Sequence, residues 1–293
     1  MTEKKKQQKL KFSSLNIETS NWNLRQNPFS VCFVQPGSIP FVFERSYLNL
    51  LKKKSPLLFQ QYLFQALSIG NEVRTFVGTQ FLTDSFERLG YRAQIVGDHG
   101  TGKSTLLHYL ADSLSARGHQ VFSFSLHDSQ RNLPQEFWSR LNKVLGTLPS
   151  DESNHFFKSE TVQISNEQIR YSSSNMNHSD KTSPKTFSQK IVFLDGFEQL
   201  SYFSRYLFRS FCRKHRLGFL LSTHSSAVAV PVLFRTHSSF ETVRKIIDFL
   251  LDDSDFFLFE SEIRALMKQS GNNIRQVLFD LYDEYENHLD ALQ

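Results

Sequence analysis

From residue 92 onward, short apolar runs alternate with longer segments whose apolar residues recur at helical spacing. The runs predict strands at 92–96, 120–126, 190–194, 217–222 and 232–235. "KIVFLD" and "LGFLLST" are continuously apolar rather than alternating, as parallel strands covered on both faces are. The segments between predict helices at 103–116, 134–146, 198–215 and 240–251. This alternation builds an α/β three-layer sandwich, a mostly parallel five-stranded sheet with helices on both faces.

The pattern changes on either side. After residue 252 no strand pattern remains: "FESEIRALMKQS" and "NNIRQVLFDLYDEYENHLDAL" predict a small helical lid around Gly271. Ahead of the core, residues 46–89 read as helical with a break near Gly70, and "TDSFERLG" reads as a short capped helix ending at Gly90. "NPFSVCFVQPGSIPFVFE" holds two strand-like runs around a Pro-Gly turn. The stretch 150–188 is rich in Ser, Asn and Thr, and is expected to be a flexible insertion. The expected divisions are a basic tail at 1–27, an extension at 28–89, a core at 90–252 with its insertion, and the lid at 253–293.

Composition narrows the classes. Hydrophobic residues are 39% and charged residues 22% of the 293, the balance of a globular chain. The two cysteines, Cys32 and Cys212, form no CxxC, so neither a disulfide framework nor a zinc site is expected. The chain has no apolar run of membrane-spanning length and no secretory leader pattern, and a cytoplasmic protein is expected. The net charge of +5 is compatible with a nucleic-acid partner without requiring one.

The chemistry concentrates at "AQIVGDHGTGKSTLL". Gly97, Asp98, His99, Gly100, Thr101, Gly102, Lys103 and Ser104 fit G-x-x-x-x-G-K-[ST], with Thr105 next in the helix. The glycines let successive N–H groups turn inward on a phosphate, and the following helix adds its positive end. Lys103 would offset phosphate charge, and Ser104 would offer a hydroxyl to Mg²⁺. A strand before the motif and an amphipathic helix after it are the context this chemistry needs. The second metal group is expected from Asp195, at the end of the apolar run "KIVFLD".

These residues resemble the P-loop NTPases, with Walker A and Walker B elements at the two sites. The resemblance implies ATP with Mg²⁺ as the bound species. "LDGFEQL" resembles the "hhhDGhDE" form of the STAND signalling NTPases, with Glu198 and Gln199 where that form has Asp and Glu. It implies Glu198 as the water-positioning carboxylate, since Gly196 takes the position where many motors carry a Glu. Ser222, Thr223 or His224 would sense the γ-phosphate at the end of the next strand, with Thr223 favoured. "SGNNIRQVLFDLYDEYE" resembles the lid helix of AAA+ ATPases, which implies that Arg275 reaches back to the phosphates. Stretches such as "VQPGSIPFVF" and "DGFEQL" also resemble a bacterial family of stand-alone P-loop proteins.

The function implied is that of an AAA+/STAND-like ATPase, a nucleotide-dependent switch on a protein partner, with oligomerisation on nucleotide as a further expectation. The alternatives are a nucleic-acid-associated ATPase of loader or initiator type, and a phosphotransferase on a small molecule. Arg205, Arg209 and Arg213 recur every four residues after Asp195 and form a basic stripe, read as a solvated face, an acidic partner's site, a nucleic-acid contact or a trans-acting finger. No N/T-K-x-D guanine-reading tetrapeptide occurs, which favours ATP. The Phe-rich segment 28–44 is where an adenine pocket is expected.

Overall fold

Strands β1 (Arg92–Val96), β2 (Gln120–Ser125), β3 (Lys190–Asp195), β4 (Gly218–Thr223) and β5 (Val232–Arg235) form one sheet in the order β2-β3-β4-β1-β5. Every neighbouring pair is parallel. The computed structural model describes residues 27–29, 37–68, 72–126, 131–145, 188–225, 228–251 and 258–291. The basic tail up to residue 26, Cys32, Gly70 and all but the last residue of the expected insertion lie outside these.

Three helices precede the sheet: α1 (Arg45–Lys54), α2 (Pro56–Ser68) and α3 (Val73–Arg88). The segment expected as a separate capped helix at 83–90 is instead the last turn of α3, and Thr83 donates within that helix to Thr79 O at 2.9 Å. Then α4 (Lys103–Ala116), α5 (Gln135–Leu145) and α6 (Tyr202–Lys214) alternate with strands. The chain ends with α7 (Phe240–Leu250), α8 (Glu260–Gln269) and α9 (Ile274–Ala291).

Strand alternation sorts the core into two layers. Ile191, Phe193 and Leu220 face Phe81 and Phe86 of α3 and Leu106, Leu110 and Leu114 of α4. Val192, Leu194, Phe219 and Leu221 face Phe137 and Leu141 of α5 and Phe208 and Cys212 of α6. Helix α3 thus belongs to the sandwich, not to an appendage. The third cluster joins Val243 and Ile247 of α7 to Ile263 and Met267 of α8 and Val277 and Leu281 of α9, so the helical unit begins with α7.

Among the described residues, the strand-like run 40–43 pairs with no strand. Phe41 and Phe43 are buried among aromatic rings instead, with centroids 4.9 Å from each other and Phe43 5.7 Å from Phe234 of β5. Thr75 Oγ1 donates to Phe41 O at 2.7 Å, tying this segment to α3.

Candidate functional site

The loop between β1 and α4 is shaped by its glycines. Gly100 and Gly102 hold φ of +70° and +85°, in the left-handed region where a side chain is strained. A Cβ on Gly100 would also overlap Asn273 at the start of α9, and one on Gly97 would overlap Thr236. Thr101 Oγ1 fastens the loop to Thr236 Oγ1 at 2.6 Å and to Asp98 O at 2.9 Å.

Helix α4 has no side-chain cap, whereas Glu72, Ser201 and Ser239 cap α3, α6 and α7. The first-turn N–H groups of α4 are therefore open to an anion. Lys103 is only 8% exposed. Its ammonium donates to Gly97 O and Asp98 O, both at 2.7 Å. Burial lowers its pKa, opposed by the charges of Glu198, Asp195 and Asp98 and reinforced by Arg275. A buried cation held mainly by loop carbonyls beside an uncapped helix end can take up an anion.

Asp195 lies across from this loop. One carboxylate oxygen accepts from Ser104 Oγ at 2.5 Å, and the other accepts from Ser222 Oγ. Strand β4 lies between β3 and β1, so Ser222 stands between the carboxylate and the loop. Gly196 then turns at φ +78° into a 3₁₀ turn, Phe197–Gln199. Glu198, on that turn, does not cap α6, because Ser201 accepts from Ser204 N. Its Oε1 instead lies 2.8 Å from His224 Nε2.

His224 joins the parts. Its Nδ1 is 3.1 Å from Gly97 O and 3.5 Å from Lys103 Nζ, and its ring lies 3.7 Å from that of His99. Burial, then the Lys103 charge, pull its pKa below the ordinary value; Glu198 pulls the other way.

Thr223 is corrected by the structure. It is 1% exposed, and its hydroxyl donates to Gln94 Oε1 at 3.1 Å on the far side of β4. Ser222 and His224 flank it and alternate to the cavity side, where Thr223 was expected.

Arg275, in the first turn of α9, lies over the loop. Asn273 Oδ1 accepts from Arg275 N at 3.1 Å and from Gln276 N at 3.4 Å, capping α9 beside Gly100. Between lid and core lies a cavity of about 500 Å³. His99 to Thr105, Asp195, Glu198, His224 and Arg275 line its polar end; Ile39, Phe41, Val42, Ile246, Ile274 and Leu278 line its apolar end. Gly97 and Asp98 are outside the lining, with their carbonyls turned to Lys103. Sequence reasoning missed Asn273, Thr236, and the α7 and α9 share of the apolar wall. Arg205 of the basic stripe is partly committed: it donates to Glu198 O at 2.6 Å.

No family model matches the chain, and no curated protein matches it. Among solved structures it is similar to RuvB of Thermotoga maritima. The structure described as the Holliday junction branch migration motor gives a TM-score of 0.41 at 14% identity, over 85% of this chain and 64% of that one. Two single-substitution RuvB variants give 0.41 and 0.42 at 14% identity, covering 73% and 89% of this chain and 61% and 68% of theirs. The chain thus matches 61–68% of the RuvB chains' length. Among the described residues no helix is long and apolar enough to cross a membrane.

Proposed function

We propose that this chain binds and hydrolyses ATP in the cleft between sheet and lid, and passes the state of that cleft to a protein partner as a switch. The uncapped start of α4 wrapped around the buried Lys103 ammonium carries this reading. The β- and γ-phosphates take up the α4 amides, and Lys103 moves from its carbonyls onto them. Ser104 and Asp195 bring two hard oxygen donors together and fit Mg²⁺, which would neutralise phosphate charge. The apolar wall from Phe41 to Leu278 suits an adenine ring.

Glu198 is the proposed base. It takes a proton from the attacking water as the water oxygen bonds to the γ-phosphorus and the bond to the β-phosphate oxygen breaks. His224 holds that carboxylate by one edge. Arg275 approaches from the lid, so closure depends on the γ-phosphate. Release reopens α7–α9, which is the motion a partner would read.

Calorimetric titration of Lys103→Ala with ATP and Mg²⁺ tests the site. Losing charge-assisted bonds to phosphate should weaken binding at least about tenfold while the melting temperature stays close to wild type. Unchanged affinity would refute the assignment.

A further inference from the structure

Helix α6 presents an outer face that the nucleotide site does not use. Tyr202, Phe203 and Tyr206 are 87%, 67% and 67% exposed, which is far from the usual place of large rings. Tyr202, Tyr206, Arg209 and Arg213 follow one another at i, i+4, i+7 and i+11, a single stripe on a helix. The stripe runs about 16 Å, aromatic at its start and basic at its end. No residue of α6 is acidic, and Lys214 extends the basic end.

We infer that this face of α6 binds single-stranded nucleic acid, with bases stacked on Tyr202 and Tyr206 and phosphates against Arg209 and Arg213. The combination of exposed ring faces and cations on one line is what such strands require: rings accept any base, and cations follow the backbone. A duplex keeps its base faces inside its own stack and has no use for the rings. A protein occupant would have to bring acidic groups and flat apolar faces in the same succession, whereas a single strand supplies both by its nature. Arg205 supports the platform: its guanidinium lies 5.2 Å from the Tyr202 ring centroid and 5.7 Å from that of Phe197, while it donates to Glu198 O. The surface therefore stands one hydrogen bond from the turn that carries Glu198.

The test is fluorescence anisotropy of labelled oligo(dT) with the full chain, without nucleotide, at several salt concentrations. It does not depend on the ATP reading. Tyr202→Leu with Tyr206→Leu should weaken binding at least about tenfold, because each stacked base contributes strongly. Tyr202→Phe with Tyr206→Phe keeps the ring faces and should retain binding. Arg209→Gln with Arg213→Gln should lower the slope of log K against log salt by about 1.4, two phosphates' worth for a single strand. Thermal melts of each variant verify folding. Three results would overturn the inference: no binding by the wild-type chain; equal binding by the leucine pair, which would place the strand elsewhere, such as the N-terminal lysines; or loss of self-association in the leucine pair with oligo(dT) binding intact, which would make the face a contact between copies.

Discussion

Glu198→Gln separates chemistry from architecture at one residue. The carboxylate Oε1 lies 2.8 Å from His224 Nε2, and its Oε2 is buried with no hydrogen-bond partner. Glutamine keeps an acceptor for His224 and loses only the charge. A hydrogen bond to a charged group contributes about 1.5–3 kcal/mol net, and keeping it to a neutral acceptor should cost only part of that. The helix α6 should not notice, because Ser201 is its cap. Catalysis should respond differently. An amide cannot take the proton of water, and losing a general base costs about a hundredfold or more in rate, or about 2.7 kcal/mol of barrier. The expected result is near-normal ATP affinity, a melting temperature within a few degrees of wild type, and single-turnover hydrolysis at least about a hundredfold slower. A normal single-turnover rate would refute the base assignment. A large fall in melting temperature would instead show that the carboxylate holds the turn.

Arg275→Ala should weaken ATP much more than ADP in a titration of both, since the side chain approaches the polar end of the cavity from the lid; equal weakening would mean that it only steadies α9. His224 should make folding acid-sensitive. Its folded pKa lies below the unfolded value of about 6.5, so the native state binds fewer protons between the two. Its contribution is fully present above that unfolded value and lost as pH falls through the folded one. His224→Asn should therefore flatten this limb of melting temperature against pH, and an unchanged limb would assign it to other groups. Cys212 is fully buried, and burial raises its thiol to about 12. In a Cys32→Ala background a thiol reagent should label Cys212 only as the chain unfolds, and rapid labelling of the native protein would contradict the packing of α6 on the sheet.

The five strands were legible to within a residue because their signals were local. Each is a short apolar run, and the next element begins at a Gly, an Asp or a polar cluster that cannot continue it. The run 40–43 carried the same signal without becoming a strand. Its β-branched and aromatic residues fit a pleated surface, but β5 already has Phe234 packed beneath Phe41 and Phe43, and the segment fills that surface with rings rather than extending the ladder. Helix α3 was legible as a helix but not as a layer of the sandwich, since its partners in β1, β3 and α4 come later in the chain.

The site was legible in its residue types and less so in its parity. Ser222, Thr223 and His224 are three polar residues ending one strand, and which of them faces the cleft depends on which face of β4 the cleft occupies. That face is set by Asp195, which takes Ser222, and the strand period then brings in His224 and turns Thr223 away. The same geometry accounts for the position of Glu198, the carboxylate proposed as the base. A side chain at position 196 would need φ near +78°, with its Cβ 3.0 Å from Leu126 O. The position directly after Asp195 is therefore strained for Glu in this turn: the backbone is left-handed, and the Leu126 carbonyl would have to give by a few tenths of an ångström. The 3₁₀ turn that Gly196 opens carries the chain to Glu198, the first carboxylate after Asp195, and within 2.8 Å of the histidine that parity selects. Gly196, Glu198 and His224 thus form one substitution set: Gly196→Glu should not rescue Glu198→Gln.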